Sequence, residues 1–291
     1  MPVGRPATAL PSRRQLLASM GAGLAGSAPA LSTPRFRFGL TPVFLNSDLD
    51  LLDALQSYLA RAMGMPVELV LKRTYQEITS QLISGLIDAA WICGYPFVAF
   101  RSELALVAVP VWRGRTTYQS YLLVGDARPA ETLEGLKGDV HAFSDPDSNS
   151  GYLVTRALLA ERRLRPQDFF RRTFFTYGHR NVVRAVSAGL ADSGSVDGYV
   201  WEVMSETEPK LTAGTRPIWR SDWMGFPPIA TTMTARDALA TRRLRQALQE
   251  MPADPTGKVA LRMLRLDGFA EGNPQLFDSI AARLETVRGQ G

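Results

Sequence analysis

The sequence predicts an α/β protein of two lobes, each a doubly wound, mainly parallel sheet flanked by helices. From residue 36 onward, short runs rich in β-branched and aromatic residues alternate with amphipathic helical patterns, which is typical of parallel sheets. A chain of 291 residues with 45% hydrophobic content can bury two cores of ordinary domain size. We expect lobe one to comprise residues 31–112 and 215–291, and lobe two to comprise residues 113–214.

Lobe one is predicted to begin with strand–helix units that repeat. Asn46 or Ser47 is the expected N-cap of the first helix, which ends near Gly64. Thr74 and Glu77 have the spacing of a capping box and indicate the start of the second helix. Strands are expected at residues 36–40, 67–71 and 88–92.

The polar segment 112–117 separates two apolar strands and is the predicted crossing into lobe two. After lobe two the chain is expected to return to lobe one, with Ile218 in the first return strand and the last three helices packed on lobe one. The remaining predicted strands are residues 104–111, 119–124, 140–143, 173–176, 194–199 and 229–233, and the later helices lie near residues 180–190, 235–250, 255–264 and 273–288.

The first 30 residues have the pattern of a twin-arginine export signal. Arg13 and Arg14 are followed by a Gly/Ala-rich apolar stretch that ends in Ala28-Pro29-Ala30, with small residues where a signal peptidase requires them. A merely basic or disordered N-terminus is the alternative. We therefore predict that residues 1–30 are removed and that the protein works in the periplasm.

Charge and cysteine usage exclude several classes of function. Without the signal, 30 basic residues stand against 28 acidic ones, so the net charge falls from +5 to +2 and gives no basic surface for nucleic acid. No later apolar run reaches the roughly 18 residues of a membrane span, so no membrane anchor is expected. Cys93, the single cysteine, cannot form an internal disulfide and is predicted to be a small buried apolar residue.

Residues 144–151, with the sequence Ser-Asp-Pro-Asp-Ser-Asn-Ser-Gly, precede a helical stretch and suggest an anion site. Ser148 and Ser150 supply hydroxyl donors, and the backbone N–H groups from Asn149 to Gly151 would point outward from a helix start, where the dipole favours negative charge. Gly151 lets the backbone approach a ligand closely. The alternative is that these residues only cap the helix.

His179 is the second candidate, because it lies between a predicted strand and a predicted helix. In open α/β sheets, ligands bind at the carboxyl ends of strands, so His179 is expected to face the same crevice and to donate a hydrogen bond to an oxyanion. A structural histidine that caps a helix is the alternative. Apart from His179 the chain has one other histidine, His141, and it has no metal-ligand spacing and no nucleophile or phosphate-loop motif. We expect no catalytic residues, no metal and no cofactor.

Four segments together resemble the phosphate/phosphite/phosphonate-binding family of periplasmic ABC-importer receptors: residues 145–151, Gly178-His179, residues 184–192 and residues 87–91. The resemblance extends over about residues 36–285. It implies a type II periplasmic binding protein, in which two lobes close on the ligand like a Venus flytrap. It also implies that the ligand oxygens are held by the loop, the histidine and a tyrosine at the start of a lobe-one helix, which match Ser148, Asn149, Ser150, His179 and Tyr75.

The chain departs from the family pattern where aminoalkylphosphonate receptors hold an ammonium group with acidic residues. The matched positions here are Tyr199 and Phe226, so a ligand without an ammonium group is expected. Asp197 can meet a cation or serve as a strand-end cap, and Tyr95 can line the cleft or belong to the core. The predicted ligand-binding residues are Tyr75, Tyr95, Ser148, Asn149, Ser150, Gly151, His179, Asp197 and Tyr199.

Three functions follow from this reading. The first is a monomeric, exported receptor that captures a small oxyanion and delivers it to an ABC permease in the inner membrane. The second is an enzyme on the same scaffold that acts on a phosphorylated or heterocyclic substrate. The third is a ligand-binding partner of a membrane sensor.

Overall fold

The fold is built around two main sheets. The computed structural model describes residues 1, 4, 35–42 and 49–290. Residues 35–42 and 49–290 belong to one unit of the chain. The predicted export signal, apart from Met1 and Gly4, and the predicted caps Asn46 and Ser47 lie outside the described residues.

The strands form a six-stranded sheet, a five-stranded sheet and a two-stranded ribbon. The first sheet has the order β13-β4-β12-β3-β1-β2, the second has the order β10-β6-β9-β7-β8, and the ribbon pairs β5 with β11. The strands are β1 Phe36–Leu40, β2 Val67–Leu71, β3 Ala89–Trp91, β4 Leu104–Val111, β5 Thr117–Tyr118, β6 Ser120–Gly125, β7 Val140–Phe143, β8 Arg172–Phe175, β9 Ser193–Asp197, β10 Thr215–Arg220, β11 Met224–Gly225, β12 Ile229–Thr232 and β13 Gly268–Ala270.

The α/β class is confirmed, but each sheet is mixed rather than mainly parallel. β1 pairs in parallel with β2 and β3, and β7 pairs in parallel with β8 and β9. The strands that leave or re-enter each sheet pair antiparallel: β4, β12 and β13 in the first sheet, and β6 and β10 in the second.

Helices cover the sheets and begin where the sequence signals them. Thr74 Oγ1 accepts a hydrogen bond from Glu77 N at 3.2 Å and Thr74 N donates to the Glu77 carboxylate at 3.0 Å, which confirms the capping box. Gly64, with φ of +62°, follows the first helix in the left-handed conformation that glycine favours. The helices are α1 Leu49–Met63, α2 Tyr75–Ile83, α3 Gly94–Ala99, α4 Val154–Ala160, α5 Pro166–Phe169, α6 His179–Ser187, α7 Gly198–Thr207, α8 Pro209–Thr212, α9 Leu239–Glu250, α10 Pro255–Leu264 and α11 Asp278–Arg288.

The β5–β11 ribbon lies where the chain passes between the two sheets. Tyr118 and Met224 are direct neighbours across this ribbon. The chain returns to the first sheet only after Arg220, because β10, which contains Ile218, pairs with β6 in the second sheet. This differs from the predicted return at residue 215, since the side-chain pattern of a strand does not specify which strand it will pair with. Within the described residues, no helix has the length and apolarity needed to cross a membrane.

Candidate functional site

The loop after β7 forms a wide helical start with glycine at its tightest point. Ser148 Oγ accepts a hydrogen bond from Gly151 N at 3.0 Å and so caps a π-helical turn, Asn149–Leu153, that leads into α4. A Cβ atom at position 151 would lie 1.9 Å from Ser144 Oγ and 3.0 Å from His179 Cε1. Gly151 is therefore required because the loop backbone packs directly against the neighbouring side chains.

His179 connects the two sheets at the first residue of α6. Its Nε2 atom lies 3.2 Å from the hydroxyl of Tyr75, the first residue of α2, and its Nδ1 atom accepts a hydrogen bond from Asp197 N at 3.1 Å. Because Nδ1 accepts, the ring hydrogen is on Nε2. Burial lowers the pKa of His179 to about 3, so the ring is neutral near pH 7. His179 therefore offers one neutral N–H donor where the two sheets meet.

Asp197 ends β9 and caps α7 with one carboxylate oxygen. Asp197 Oδ1 accepts hydrogen bonds from Tyr199 N at 2.8 Å and from Val200 N at 3.4 Å. Oδ2 is buried and has no hydrogen-bond partner among the described residues. Burial raises the pKa of this carboxyl to about 7, against the effect of the two backbone donors. Oδ1 thus has a structural role as the cap of α7, whereas Oδ2 makes no hydrogen bond among the described residues.

Residues that follow strands of the first sheet, and one residue of the ribbon, contact the loop directly. Tyr75 N donates to Asp145 Oδ2 at 3.3 Å, and Cys93 Sγ accepts from Asn149 N at 3.1 Å. Asn149 Nδ2 donates to the Tyr118 hydroxyl at 2.9 Å. The expectation for Cys93 is corrected in part: it is buried, and burial raises the pKa of its thiol to about 12, but it also accepts a hydrogen bond.

Buried polar atoms without partners are concentrated here. Of the seven such side-chain atoms among the described residues, four belong to this cluster, so the cluster accounts for most of the unsatisfied polarity; they are Ser144 Oγ, Asn149 Oδ1, Ser150 Oγ and Asp197 Oδ2. Each unpaired buried polar atom costs about 1–3 kcal/mol. Burial raises the pKa of the Tyr118 phenol, and the nearby Ser150 hydroxyl opposes that shift, although the two hydroxyls do not have hydrogen-bonding geometry. The arrangement is suited to a small polar ligand.

We use the name anion cluster for the nine buried residues that surround these atoms. None of the nine is more than 2% exposed, so solvent does not reach them in this conformation. None is lysine or arginine, so an anion would be held by neutral donors. They are Tyr75, Cys93, Tyr118, Ser144, Ser148, Asn149, Ser150, His179 and Asp197.

Two predicted binding residues have other surroundings. The Tyr199 hydroxyl donates to Leu264 O, and the Tyr199 ring packs against Phe226 with centroids 5.1 Å apart. Tyr95 is partly buried in the first turn of α3, where burial and then the Asp147 carboxylate raise the pKa of its phenol. The Tyr199 hydroxyl is therefore already used in a hydrogen bond to the backbone, and Tyr95 lies close to Asp147 in the loop.

Sequence reasoning missed Cys93 and Tyr118 as neighbours of the loop. Ser144 is the first residue of the predicted loop, but it was not among the predicted ligand-binding residues. Cys93 and Tyr118 lie 56 and 31 residues from Asn149 along the chain, and neither stands in a recognisable motif. Within the part of the chain that the structure describes, no group of three or more His, Cys, Asp or Glu side chains could hold a metal ion.

Comparisons with known proteins agree with this architecture. Residues 38–277 match the family described as "ABC transporter, phosphonate, periplasmic substrate-binding protein". The phosphate-import protein PhnD of Mycolicibacterium smegmatis is 26% identical over 238 residues, which cover 76% of this chain and 70% of that protein.

Two solved structures share the fold. A binding-protein component of an ABC phosphonate transporter from Pseudomonas aeruginosa has a TM-score of 0.80 at 20% identity, with 89% of each chain covered. PhnD1 from Prochlorococcus marinus, in complex with methylphosphonate, has a TM-score of 0.76 at 17% identity, with 87% of this chain and 98% of that chain covered. Because the family match spans most of the chain, the protein belongs to the phosphonate-binding family of ABC-transporter periplasmic substrate-binding proteins.

Proposed function

We propose that this receptor captures a small oxyanion of the phosphate, phosphite or phosphonate type in the anion cluster. The observation that carries the proposal is the group of four buried, unpartnered polar atoms beside the Tyr75–His179 contact. Native proteins pair nearly all buried polar groups, so a concentration of unpaired ones is a mark of a ligand site.

The donors come from both sides of the cleft. His179 Nε2–H, the Ser150 hydroxyl and the Tyr75 hydroxyl are the expected ligand donors, with the hydroxyl hydrogen of Ser148 as a fourth. Ser148 Oγ already accepts the cap bond from Gly151 N, so its lone pairs serve the loop while its hydrogen stays available. A hydrogen bond to a charged group contributes about 1.5–3 kcal/mol, so three or four support micromolar to nanomolar affinity after ordering costs.

Capture requires the two sheets and their helices to move apart and close again. Tyr75 follows the first sheet, whereas Ser150 and His179 follow strands of the second, and all three are at most 1% exposed. A ligand reaches them only when the contacts across the cleft open. The β5–β11 ribbon is the natural hinge, because both passages between the sheets run through it.

The family supplies the remaining context of the proposal. Its members are periplasmic receptors of ABC transporters, so we propose export of this chain by the twin-arginine route, action as a monomer and delivery of the ligand to an inner-membrane permease. We favour binding over catalysis, because His179 is neutral and held on both ring nitrogens by the Asp197 backbone and Tyr75. Tyr199 and Phe226 form an apolar wall, which supports the expectation of a ligand without an ammonium group.

A pair of serine variants tests the proposal. Calorimetry with phosphate, phosphite and methylphosphonate is expected to detect binding to the mature protein, and Ser150→Ala is expected to weaken it ten-fold to over a hundred-fold, since that hydroxyl has no other partner. Ser148→Ala is expected to weaken binding as well, and loss of its cap bond to Gly151 N is expected to lower the free energy of unfolding by about 1 kcal/mol.

The thermal-shift assay gives the same test without heats of binding. A ligand at about 100 times its Kd stabilises the folded protein by roughly 2.7 kcal/mol. If none of the three anions raises the melting temperature, or if Ser150→Ala changes stability and leaves affinity intact, the proposed site is wrong.

A further inference from the structure

We propose that four charged side chains beside the hinge form a lock that holds the two lobes closed, each lobe being one main sheet with its helices. We use the name hinge lock for Arg113, Glu202, Glu206 and Arg265, which all lie outside the anion cluster. The role of the lock rests on the proposed function, because a lock acts only if the lobes close on a ligand. Its loss should weaken every anion by the same factor and release each one faster.

The ion pairs of the hinge lock join parts of the chain that follow different sheets. Arg113 lies in the turn after β4 of the first sheet, and its guanidinium contacts Glu202 at 3.4 Å and Glu206 at 3.1 Å. Arg265 follows α10, which packs on α1 beside the first sheet, and contacts the other oxygen of Glu206 at 3.4 Å. Both glutamates are on α7, which follows β9 of the second sheet. The positive charges are thus on one side of the boundary and the negative charges on the other.

The turn that carries Arg113 is fixed to the first sheet and moves with it. Gly114 N donates a hydrogen bond to Asp267 Oδ2 at 2.7 Å, and Asp267 N donates to Val111 O, at the end of β4, at 2.8 Å. α7 moves with the second sheet, because its cap Asp197 is the last residue of β9. The ion pairs of the hinge lock therefore have to break or rearrange when the lobes separate.

One face of α7 makes these contacts. Tyr199, Glu202 and Glu206 are spaced three and four residues apart, which places their side chains on the same side of a helix. The Tyr199 hydroxyl donates to Leu264 O at the end of α10, and the Tyr199 ring packs on Phe226 beside the ribbon. This face of α7 is therefore the contact surface between the lobes next to the hinge.

The backbone of both arginines supports a role for their side chains. Arg113 has φ of +49° and Arg265 has φ of +54°, a left-handed conformation that glycine and asparagine tolerate better than other residues. Arg113 and Gly114 are the central residues of a two-residue turn, in which asparagine usually precedes the glycine. Arg265 is the C-cap of α10, a left-handed helix end where glycine is usual. Both cations thus occupy strained positions, and their contact with α7 is the gain that offsets the strain.

The exposure of the hinge lock determines the size of its effect. The side chains of Arg113 and Glu206 are 55% and 48% exposed, so a single pair between them is weak. Glu206 contacts two arginines at once, which makes the four residues a network. We expect the network to favour the closed conformation by roughly three-fold to ten-fold.

Variants with a matched control separate a lock from a contribution to folding. Arg113→Asn removes the charge and gives the turn its preferred residue, whereas Glu206→Gln removes the shared carboxylate. Arg163→Asn is the control, because Arg163 also has a positive φ, +58°, but its side chain makes no hydrogen bond or ion pair among the described residues. Calorimetry and stopped-flow fluorescence give the affinities and dissociation rates for phosphate and methylphosphonate.

We expect Arg113→Asn and Glu206→Gln each to weaken both anions by the same factor, roughly three-fold to ten-fold, with a matching rise in the dissociation rates. The double variant should lose less than the product of the two single losses, because the two residues act through a shared contact. Arg163→Asn should bind as the wild type does. The melting temperature of ligand-free Arg113→Asn should not fall, since the turn is relieved of strain.

Four results overturn the lock. One is affinity within about two-fold of wild type in both single variants, and a second is tighter binding, which would mean that the cluster favours the open conformation. A third is a loss that differs between the two anions, because the side chains then act on the ligand. The fourth is a double variant that loses the full product. In all four the wild type still binds the anions, so the proposed function stands.

A wild type that binds neither anion removes the proposed function and leaves the lock to a second measurement. Small-angle X-ray scattering then compares the radii of gyration of the ligand-free proteins. Larger radii in Arg113→Asn and Glu206→Gln than in the wild type and Arg163→Asn support the lock, and equal radii remove it as well.

Discussion

His141 and His179 are both buried inside the second sheet's lobe, and burial lowers the pKa of each to about 3. They differ in what their ring nitrogens contact. His141 lies between Ser193 Oγ and Ser195 Oγ, both 2.8 Å away, and stacks on Phe170 with centroids 4.2 Å apart. His179 lies between a backbone N–H of its own lobe and the hydroxyl of Tyr75 from the other sheet.

The comparison shows that burial and a shifted pKa do not by themselves identify a functional histidine. The partners of His141 belong to one sheet and continue to Thr155 Oγ1, 2.7 Å from Ser195 Oγ, so this network is closed within the core. The partner of His179 on Nε2 belongs to the opposite side of a cleft, and four unsatisfied polar atoms lie in the same cluster. The unused hydrogen-bonding capacity around a residue is the better indication of function.

The largest expected effect is on the pH dependence of the free energy of unfolding. It arises because His179 has an ionisable neighbour, Asp197, that His141 does not have. Both histidines have folded pKa values near 3 and ordinary values of 6.5, so stability falls as the pH drops below about 6.5, where the unfolded chain takes up protons first. Asp197 has the opposite sign, because its pKa rises from 3.8 to about 7 on folding. Its contribution is fully present below pH 3.8 and is lost as the pH rises through 7.

Asp197→Asn removes the carboxyl group whose raised pKa opposes the loss of stability caused by the two histidines at low pH. It leaves the surroundings of His141 unchanged. Between pH 8 and pH 4, chemical denaturation is expected to show that the variant loses roughly 4 kcal/mol more stability than the wild type, at about 1.4 kcal/mol per pH unit. Parallel pH profiles for the two proteins would mean that Asp197 stays ionised in the folded state.

The next effect separates the two histidines directly. His141→Ala is expected to lower the free energy of unfolding by roughly 3 kcal/mol, because it opens a cavity and removes one hydrogen-bond partner from each of Ser193 and Ser195, while anion affinity stays within about two-fold of wild type. His179→Ala is expected to weaken anion binding ten-fold to over a hundred-fold, because its Nε2–H is a charge-assisted donor. Denaturant titration and calorimetry on the same two variants supply both quantities. Equal loss of affinity in both would contradict the distinction between them.

The smallest effect concerns the partner of His179. Tyr75→Phe removes one hydroxyl donor and is expected to reduce anion affinity about ten-fold, or 1.4 kcal/mol. Tyr58→Phe is the matched control, because its hydroxyl is also buried but donates to Ala247 O at 2.5 Å, on α9. The control should lose about 1 kcal/mol of stability and no affinity. Wild-type affinity in Tyr75→Phe would show that the first sheet contributes no donor to the ligand.

The parts of the site that the sequence predicted are those encoded locally. The capping box at Thr74 placed Tyr75 at a helix start, and the Ser-Asn-Ser-Gly run placed the loop. What brings these pieces together is long-range packing: Tyr75 and His179 are 104 residues apart, and their contact depends on how two sheets face each other. A resemblance to known receptors supplied that pairing, which spacing along the chain does not contain.

The features that the sequence did not predict have the same physical origin. Tyr199 follows Asp197 at a strand-to-helix turn, and the partner of its hydroxyl, Leu264 O at the end of α10, lies 65 residues further along the chain. The sheet to which β10 belongs could not be predicted, because the side-chain pattern around Ile218 is compatible with pairing in either sheet. The residues adjacent in sequence determine the local backbone conformation, whereas the contacts of a side chain depend on residues that are distant in sequence.

The reactivity of Cys93 reports on the opening that we propose for ligand capture. Its thiol is the only one in the sequence, it is 2% exposed beneath Asn149, and its pKa of about 12 keeps it in the unreactive protonated form while the cleft is closed. Separation of the loop from the first sheet removes the cover and returns the thiol to water. The rate at which an alkylating reagent modifies Cys93 therefore follows how often the receptor opens, and any molecule that holds the cleft shut slows that rate.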